Sequence, residues 1–427
     1  MDVQYMHPSE QLVLIMNRIY ENGMTTTSGG NLSILDSEGN IWITPASLDK
    51  GNLHPHDICC IKPDGTPAAN NLHKPSIEWP IHAGIYKARP DIKALVHAHP
   101  PSLVAFSCAG IIPNLRTIDY PCIALGKVAL APYALPGSLA LGEKIATSFS
   151  QGYNLVLMEN HGAMVGAIDI SMAYREFEML EILAATQINA NKLGAPRAMS
   201  NIQKLTTPPL SSFIPSCAMP GERAARRDMV KLIHRAYKQN IVSAALGNFS
   251  FRLDEDTFLI TPKFKDRKYL KESDIVLVRN MHAEENKIPS IGVWQHKAIF
   301  DAHPDVNAIM AACPPHAMAF AITDAVFDTR TIPESYVWLR QVQRVNRERL
   351  LEDPKELAKL ISPTSPVLMI ENSQILATGD TLLRAYDRVE VAEATARSII
   401  AASSIGDLIH ISQHEVEEIN IAFNLPK

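Results

Sequence analysis

The chain has 427 residues, which exceeds what one hydrophobic core usually serves, so its length favours two domains. Hydrophobic residues make up 46% of the sequence and charged residues 20%, a globular balance that excludes wholesale disorder. The net charge is -5 without a basic stripe, and no apolar run approaches the ~20 residues of a membrane span, which argues against nucleic acid and membrane as partners. The N-terminus has no signal-peptide pattern and the cysteines form no CxxC pair, so we expect a cytoplasmic protein with reduced thiols.

The first half of the chain carries both helical and strand patterns. Apolar residues at helical spacing predict a helix over residues 9–22, which ends before Gly23. The other predicted elements are strands over residues 31–35, 40–44 and 57–62, a helix over 76–87, a strand over 92–99, a helix over 139–149, a strand over 155–159 and a long amphipathic helix over 170–193. Strands grouped early, with helices around them, predict an α/β layered domain on a central mixed or antiparallel sheet.

The sequence repeats itself at a long and nearly constant offset, which falls only from 217 to 212. The matching segments are residues 30–33 and 247–250, 43–45 and 260–262, 90–101 and 304–315, and 159–160 and 371–372. A period this long is incompatible with a solenoid and indicates two tandem copies of one domain. We predict a first domain over residues 1–194, a linker rich in Pro, Ser and Thr over 195–227, and a second domain over 228–427.

Three histidines and one glutamate of the first copy form a candidate metal site. His97 and His99 lie two apart on a predicted strand, so both side chains leave the same face of the sheet. His161 follows the end of another strand, and Glu78 lies near the start of a helix. Three imidazoles with a carboxylate or water form a common ligand set for catalytic Zn²⁺, and they also accept other divalent transition metals. We expect burial to raise the pKa of Glu78 when no ion is bound.

The repeat strengthens this assignment, because all four residues differ in the second copy. The matching positions hold Gly292 for Glu78, Ala311 for His97, Cys313 for His99 and Ser373 for His161. Residues that only support the fold should be shared, whereas a cooperating ligand set is expected to be lost together; unrelated drift is the alternative. His82 is shared, as His296, and is therefore assigned to a structural hydrogen bond.

The motifs of the first copy together resemble the class II aldolase/adducin family, and residues 228–402 resemble a degenerate second copy. The motifs are residues 28–31 (Ser-Gly-Gly-Asn), 43–45 (Ile-Thr-Pro), 74–78 (Lys-Pro-Ser-Ile-Glu), 97–100 (His-Ala-His-Pro) and 160–162 (Asn-His-Gly). The resemblance implies that His97, His99 and His161 bind Zn²⁺ and that Glu78 is the catalytic acid/base. It also implies that Tyr133, in a Tyr-Ala-x-x-Gly context, protonates the leaving aldehyde at a site between neighbouring subunits.

The phosphate-binding motifs of the family's sugar-phosphate aldolases are altered here. Ile77 replaces a serine, and Ala46-Ser47 replaces Thr-Gly, while Ser28, Asn31 and Ser76 remain as candidate substrate contacts. Loss of a hydroxyl donor weakens oxyanion binding, since a hydrogen bond to a charge contributes roughly 1.5–3 kcal/mol. The altered motifs therefore predict a substrate that is unphosphorylated or carries its phosphate elsewhere.

The resemblance implies a metal-dependent aldehyde-lyase. The predicted reaction is retro-aldol cleavage of a small hydroxy-carbonyl or sugar compound through a metal-stabilised enediolate. The alternatives are an epimerase, dehydratase or decarboxylase of the same family, or a non-catalytic scaffold of the adducin kind. Relatives assemble as ring-like homotetramers, so we expect a homo-oligomer, either a dimer that forms a pseudo-tetrameric ring or a tetramer.

Overall fold

The computed structural model describes residues 3–202 and 208–425. The chain forms two compact units. Unit 1 comprises Met1–Leu115 and Pro121–Ala185, and unit 2 comprises Arg116–Tyr120 and Thr186–Lys427. The short segment of residues 116–120 therefore belongs to the first copy by sequence but to unit 2 by its contacts.

Unit 1 is built on a seven-stranded mixed sheet. Its strands are β1 (Asn31–Leu35), β2 (Ile41–Ile43), β3 (Cys59–Ile61), β4 (Ala94–Ala98), β5 (Val128–Ala131), β6 (Leu155–Met158) and β7 (Gly162–Ala167). Their order is β3-β2-β1-β4-β7-β6-β5, with β5 parallel to β6 and the other neighbouring strands antiparallel. The predicted α/β architecture on a mixed sheet is confirmed.

Helices alternate with these strands along the chain, and two of them form the core together with the sheet. They are α1 (Pro8–Glu21), α2 (Trp79–Ala88), α3 (Pro101–Cys108), α4 (Asp119–Ala124), α5 (Leu139–Ser150) and α6 (Ile170–Asn191). Helix α5 begins where the Ser138 hydroxyl accepts a hydrogen bond from the Leu141 amide. Ile81 and Ile85 of α2 and Phe149 of α5 pack with Leu95 and Val156 of the sheet. This packing holds the first turn of α2, and with it Glu78, close to the central strands.

Unit 2 repeats the architecture with two additional edge strands. Its strands are β8 (Ser211–Phe213), β9 (Asn248–Arg252), β10 (Thr257–Ile260), β11 (Val276–Arg279), β12 (His282–Glu284), β13 (Ala308–Ala312), β14 (Gln343–Val345), β15 (Val367–Ile370) and β16 (Gln374–Gly379). Its helices are α7 (Pro220–Lys238), α8 (Val293–Ala302), α9 (Pro315–Ala321), α10 (Pro333–Leu339), α11 (Arg347–Glu352), α12 (Lys355–Ala358), α13 (Leu382–Ala402) and α14 (Gln413–Ala422). The sheet order is β14-β15-β16-β13-β9-β10-β11-β12-β8.

The two sheets share their topology and register. Read from β11 to β14, the second sheet has the strand order that the first sheet has from β3 to β5, including the single parallel pair, β14 with β15. Asn31 lies opposite His97 in the first sheet, and Asn248 lies opposite Ala311 in the second. The tandem duplication predicted from the sequence is thus present in the fold.

The segment predicted as a linker contains secondary structure. Strand β8 lies within residues 195–227 and pairs in parallel with β12, and α7 begins at Pro220. None of the helices within residues 3–202 and 208–425 combines the length and apolar character that crossing a bilayer requires.

Candidate metal centre

Strand pairing brings the three predicted histidines together. His97 is on β4, His99 follows the end of β4, and His161 lies in the turn between β6 and β7. Because β4 pairs with β7, with Ala98 opposite Ala163, the end of β4 meets this turn. One ring nitrogen from each histidine lies within 4.8 Å of the other two. The Nε2 atoms of His97 and His99 are 3.3 Å apart.

Glu78 completes the group from the start of helix α2, whereas the three histidines lie on or next to strands of the sheet. It is the N-cap residue of α2 and is only 6% exposed. Its Oε2 atom is 3.4 Å from Nε2 of His97, and its Oε1 atom is 3.8 Å from Nε2 of His161. The structure therefore brings all four predicted residues into one cluster.

The chemistry of this cluster fits a divalent transition metal. Burial and the neighbouring histidines lower the pKa of His99 to about 3, and burial with His97 lowers the pKa of His161 to about 4. Both rings are therefore neutral near pH 7, the form that binds metals. His97 Nδ1 lies 2.9 Å from the Ala163 carbonyl oxygen, to which it donates, so its Nε2 keeps a free lone pair. His161 Nδ1 is buried without a hydrogen-bond partner among the described residues.

A chain of buried hydrogen bonds holds the Glu78 carboxylate. Asn31 Nδ2 donates to Glu78 Oε2 at 2.6 Å, and His82 Nε2 donates to Asn31 Oδ1 at 2.5 Å. Burial lowers the pKa of His82 to about 3, so the ring is neutral and its Nδ1 accepts from the Ser33 hydroxyl at 2.6 Å. The Tyr86 hydroxyl lies 2.7 Å from the same Ser33 oxygen. The structural role predicted for His82 is confirmed.

The expectation for the ionisation of Glu78 is wrong. Burial acts to raise the pKa of Glu78, but the electrostatic interaction with the neighbouring His97 ring and the hydrogen bond from Asn31 outweigh it and leave the pKa below its usual value. The carboxylate is therefore charged at neutral pH. Sequence reasoning missed this because the hydrogen-bond chain from Asn31 to Tyr86 is visible only in three dimensions.

Unit 2 retains only part of this arrangement. The Ser250 hydroxyl lies 2.6 Å from His296 Nδ1, as Ser33 does from His82. Gly292 stands at the position of Glu78, and Asn248 Oδ1 is buried without a hydrogen-bond partner among the described residues. Unit 2 thus keeps Asn248 and His296 at the positions of Asn31 and His82 but has no carboxylate beside them.

The two copies provide a matched stability test. We expect Asn31→Ala to lower the free energy of unfolding by about 1–3 kcal/mol, because it removes the buried hydrogen bonds that Asn31 makes to Glu78 Oε2 and His82 Nε2. Asn248→Ala should cost less, because the matching amide oxygen has no partner to lose. Calorimetry on both full-length variants measures the difference. Equal losses would contradict the proposed support of Glu78.

Two glycines make room for the ring of His99, and sequence reasoning missed this role. A Cβ atom at Gly162 would lie 2.6 Å from His99 Cδ2, and one at Gly29 would lie 2.9 Å from His99 Nδ1. In the second copy the matching residues are Gln374 and Leu246, beside the smaller Cys313. The sequence therefore contained a signal for this role, because both glycines and the histidine they accommodate are replaced together in the second copy. The turn itself uses Asn160, at φ 53°, rather than Gly162 for its left-handed residue, and Asn372 repeats it at φ 54°.

Adding one methyl group should therefore disturb the metal site. We expect Gly162→Ala to weaken metal binding by roughly 10–100-fold, since displaced ligand support has losses of that order. The new Cβ would lie 2.6 Å from both the Ala98 carbonyl oxygen and His99 Cδ2, so it displaces the end of β4 together with the His99 ring. Gly84→Ala is the matched control, since a Cβ there meets no atom within 4 Å. Zn²⁺ affinity is measured by competition with a chromogenic chelator. Unchanged affinity in Gly162→Ala would contradict the steric argument.

The predicted substrate and proton-donor residues lie in different settings. Ser28 is exposed, whereas Ser76 is buried and its hydroxyl accepts from the Glu78 amide at 3.3 Å. Asn31 is engaged with Glu78 and His82 as described. Tyr133 is 52% exposed, its amide donates to Glu159 Oε2 at 2.9 Å, and its hydroxyl makes no hydrogen bond within the described part of the chain. The structure thus joins Asn31 and Ser76 to Glu78, but not Ser28 or Tyr133.

A second group of potential metal ligands lies on the surface. His54, His56 and Asp57 place ligand atoms within 4.8 Å of one another, and both histidines are exposed. His73 Nε2 lies 3.0 Å from Asp57 Oδ1. Exposure distinguishes this group from the buried cluster around His97.

Comparison with known proteins establishes the family. The family model described as "Class II Aldolase and Adducin N-terminal domain" matches residues 10–188 and again residues 227–400. The chain belongs to this family and contains its domain twice, which confirms the resemblance noted in the sequence.

Curated relatives share about a third of their residues with one stretch of the chain. A 5-deoxy-D-ribulose 1-phosphate aldolase from Bacillus thuringiensis serovar kurstaki is 31% identical over 192 residues, 44% of this chain and 88% of the relative. A 3-oxo-tetronate 4-phosphate decarboxylase from Pectobacterium atrosepticum is 33% identical over 178 residues, 40% of this chain and 79% of the relative. An L-fuculose phosphate aldolase from Methanococcus maripaludis is 32% identical over 184 residues, 43% of this chain and 97% of the relative.

Proposed function

We propose that unit 1 is a metal-dependent class II aldolase, an aldehyde-lyase that cleaves a carbon–carbon bond in a small hydroxy-carbonyl or sugar compound. The observation that carries this proposal is the convergence of three imidazoles on one point beside a buried carboxylate. Membership of the family supports the same conclusion.

His97, His99 and His161 would hold the cation, Zn²⁺ or another divalent transition metal. When bound, this ion supplies a Lewis acid that polarises the substrate carbonyl and offsets negative charge on its oxygen. The protein supplies the proton transfer. Glu78, charged and fixed by Asn31, would take the proton from the substrate hydroxyl as the carbon–carbon bond breaks. Positioned transfer of this kind contributes roughly 10²–10⁴-fold to the rate.

The remaining site assignments follow the family's pattern. Tyr133 would hydrogen-bond the oxygen that becomes the aldehyde, and its exposed ring is free to meet a substrate. Glu78 would then return its proton to the carbon atom that the cleavage leaves with negative charge. Ser28, Asn31 and Ser76 would contact the substrate, and the position of Ser76 directly before the exposed Ile77 supports a place at the entrance. The relatives are named for phosphorylated substrates, whereas the altered motif at Ile77 favours an unphosphorylated one, so both classes belong in an assay.

We assign residues 228–427 a structural rather than catalytic role, with residues 1–194 as the catalytic domain and 195–227 as the connection. Gly292, Ala311, Cys313 and Ser373 stand at the four site positions and cannot form a three-imidazole set. A cytoplasmic homo-oligomer, a dimer with pseudo-tetrameric symmetry or a tetramer, remains the proposed assembly.

Decarboxylation is the second candidate, because the chain is also similar to a decarboxylase of a 3-oxo acid. The same residues would serve, since loss of CO₂ from a 3-oxo acid also leaves negative charge on a carbonyl oxygen. The two reactions differ in their product, which is CO₂ in one case and an aldehyde in the other.

The test uses the full chain loaded with Zn²⁺, Mn²⁺ or Co²⁺. A panel of hydroxy-ketones and 3-oxo acids, each with and without a phosphate, is followed for aldehyde and for CO₂. Aldehyde release supports the aldolase, and CO₂ release supports the second candidate. Failure to retain a stoichiometric ion would instead favour the non-catalytic scaffold.

A further inference from the structure

A turn on the surface of unit 1 carries two histidines beside one carboxylate. The turn is the short 3₁₀ helix Pro55–Asp57, which His54 directly precedes and which contains His56. His54 Nδ1 lies 3.7 Å from Asp57 Oδ2, and His56 Nε2 lies 3.6 Å from Asp57 Oδ1. The two imidazole rings are stacked, with their centroids 5.4 Å apart. Both rings are exposed, so a cation can reach this group directly from solvent.

The separations of the ligand atoms suit a divalent transition metal. One ligand atom each from His54, His56 and Asp57 lies within 4.8 Å of the other two. Around a tetrahedral ion with bonds of about 2.0–2.1 Å, neighbouring ligand atoms are roughly 3.3–3.4 Å apart. The distances from the two ring nitrogens to the Asp57 oxygens exceed this value by only about 0.2–0.4 Å. Small side-chain rotations are therefore enough to bring the three residues onto one ion.

The Asp57 carboxylate is held in place by two hydrogen bonds. The His54 amide donates to Asp57 Oδ2 at 2.8 Å. His73 Nε2 lies 3.0 Å from Asp57 Oδ1, and because an ionised carboxylate only accepts, this nitrogen carries the proton. Each carboxylate oxygen has a further lone pair that can bind an ion. Carboxylates that bind metals commonly have outer hydrogen bonds of this kind.

The two segments that carry Asp57 and His73 are tied together beneath the surface. The Cys59 thiol is fully buried and donates to the His73 carbonyl oxygen at 3.3 Å. Nearby, the Cys60 amide donates to Asn71 Oδ1 at 2.7 Å, and Asn71 Nδ2 donates to the Cys60 carbonyl oxygen at 3.0 Å. The group is thus largely in place before an ion arrives, which lowers the entropic cost of binding.

Unit 2 has the same turn and the same aspartate but not the histidines. Its 3₁₀ helix Glu272–Asp274 matches Pro55–Asp57, and the Lys271 amide donates to Asp274 Oδ2 at 2.9 Å. The aspartate is therefore explained by the turn that both copies share. The three histidines around it are not, because the matching positions hold Lys271 for His54, Ser273 for His56 and Lys287 for His73.

Neutralising an exposed carboxylate does not require histidines either. In unit 2, Lys265 Nζ lies 3.8 Å from Asp274 Oδ1, and Lys287 Nζ lies 2.7 Å from Glu284 Oε1. A lysine ammonium provides charge but has no lone pair for a metal, whereas a neutral imidazole offers one. The group in unit 1 thus differs from its counterpart in the property that metal binding needs.

We infer that His54, His56 and Asp57 bind a second divalent transition-metal ion, with His73 as the positioning residue of the carboxylate. Imidazole and carboxylate ligands suit Zn²⁺ and Cu²⁺, and water completes the coordination. With three protein ligands in an exposed position, we expect a dissociation constant of about 1–100 µM, weaker than that of a closed zinc site. Dialysis would then empty this site. The inference goes beyond the proposed function, because the two sites share no ligand.

The test is calorimetric titration of the dialysed full-length chain with Zn²⁺. His54→Lys combined with His56→Ser gives unit 1 the residues that unit 2 carries in the same turn, so the turn should still form. We expect the wild-type chain to bind one ion more than this variant, whose affinity at the site should be lower by more than about 100-fold. His414→Ala, at an exposed histidine 3.6 Å from Glu418, is the control and should bind as wild type does.

Two substitutions test the role of His73. We expect His73→Ala to weaken binding at this site by roughly tenfold, because the carboxylate loses its outer hydrogen bond. His73→Gln retains an N–H donor and should restore most of the affinity. Equal affinities of wild type and His73→Ala would overturn the positioning role.

Three results would overturn the second metal site itself. The first is a wild-type chain that takes up no ion beyond the tightly bound one at about 1 mM Zn²⁺, a concentration that fills even weak specific sites. The second is undiminished binding by the variant with His54→Lys and His56→Ser, and the third is an equal loss in His414→Ala. His97→Ala should still bind an ion at this site, which separates failure of this inference from failure of the proposed function.

Discussion

His97→Ala should remove tightly bound metal from the protein and abolish turnover with it. His97 is 1% exposed, is oriented by the Ala163 carbonyl and lies between the other two histidines and Glu78. Its removal leaves two imidazoles, and the affinity should fall by more than about 100-fold, since even a lost supporting contact costs 10–100-fold. The measurement is the metal content of dialysed protein by mass spectrometry, followed by chelator competition.

The control for this experiment is another histidine in a group of possible ligands. His56→Ala alters the exposed group of His54, His56 and Asp57 and should leave one bound ion per chain and full activity. If His97→Ala retained its ion while His56→Ala lost it, the metal centre would lie on the surface and the proposed active site would be wrong. Circular dichroism of both variants verifies that they are folded.

The sequence predicts the four residues of this site from two features, the two-residue period of a strand and the differences between the two copies. Residues two apart on a strand share a face, and His97 on β4 and His99 directly after its end still point together. His161 and Glu78 are distant in sequence, and the repeat singled them out because its second copy lost them together. Neither argument needs coordinates, and the structure brings the four residues into one cluster.

Other features escape sequence reasoning for physical reasons. Strand β7, with the sequence Gly-Ala-Met-Val-Gly-Ala, lacks the alternation of a half-exposed strand because it is buried on both faces. Strand β5 is a four-residue edge strand, Val-Ala-Leu-Ala, and its apolar sequence shows no alternation either. Helix α2 was predicted from residue 76 but begins at Trp79, which makes Glu78 its N-cap. The pKa of Glu78 depends on the opposed effects of burial and of partners from three separate elements, and no pattern along the chain records that balance.

Glu78→Gln separates proton transfer from metal binding. Glutamine keeps the size of the side chain and one oxygen that can accept from Asn31 Nδ2, but a neutral amide cannot take up the substrate proton. We expect turnover to fall by roughly 10²–10⁴-fold, the usual contribution of a positioned acid/base. Metal content should stay near one ion per chain, because the three histidines are unchanged. The measurement is kcat on the substrate identified by the panel, together with the metal content of the same sample.

Glu78→Asp distinguishes a catalytic carboxylate from a merely structural one. The shorter side chain keeps the charge but withdraws it from His97 and from Asn31, so activity should lie between those of wild type and Glu78→Gln.

Gly292→Glu tests whether a carboxylate alone is sufficient for activity in the second copy. It restores a carboxylate beside Asn248 and His296 without any imidazole ligand, and we expect it to confer no activity on a chain that carries Glu78→Gln. Full activity of Glu78→Gln would exclude Glu78 as the base and transfer the proton step to another group, because the amide left at that position has no affinity for a proton near neutral pH.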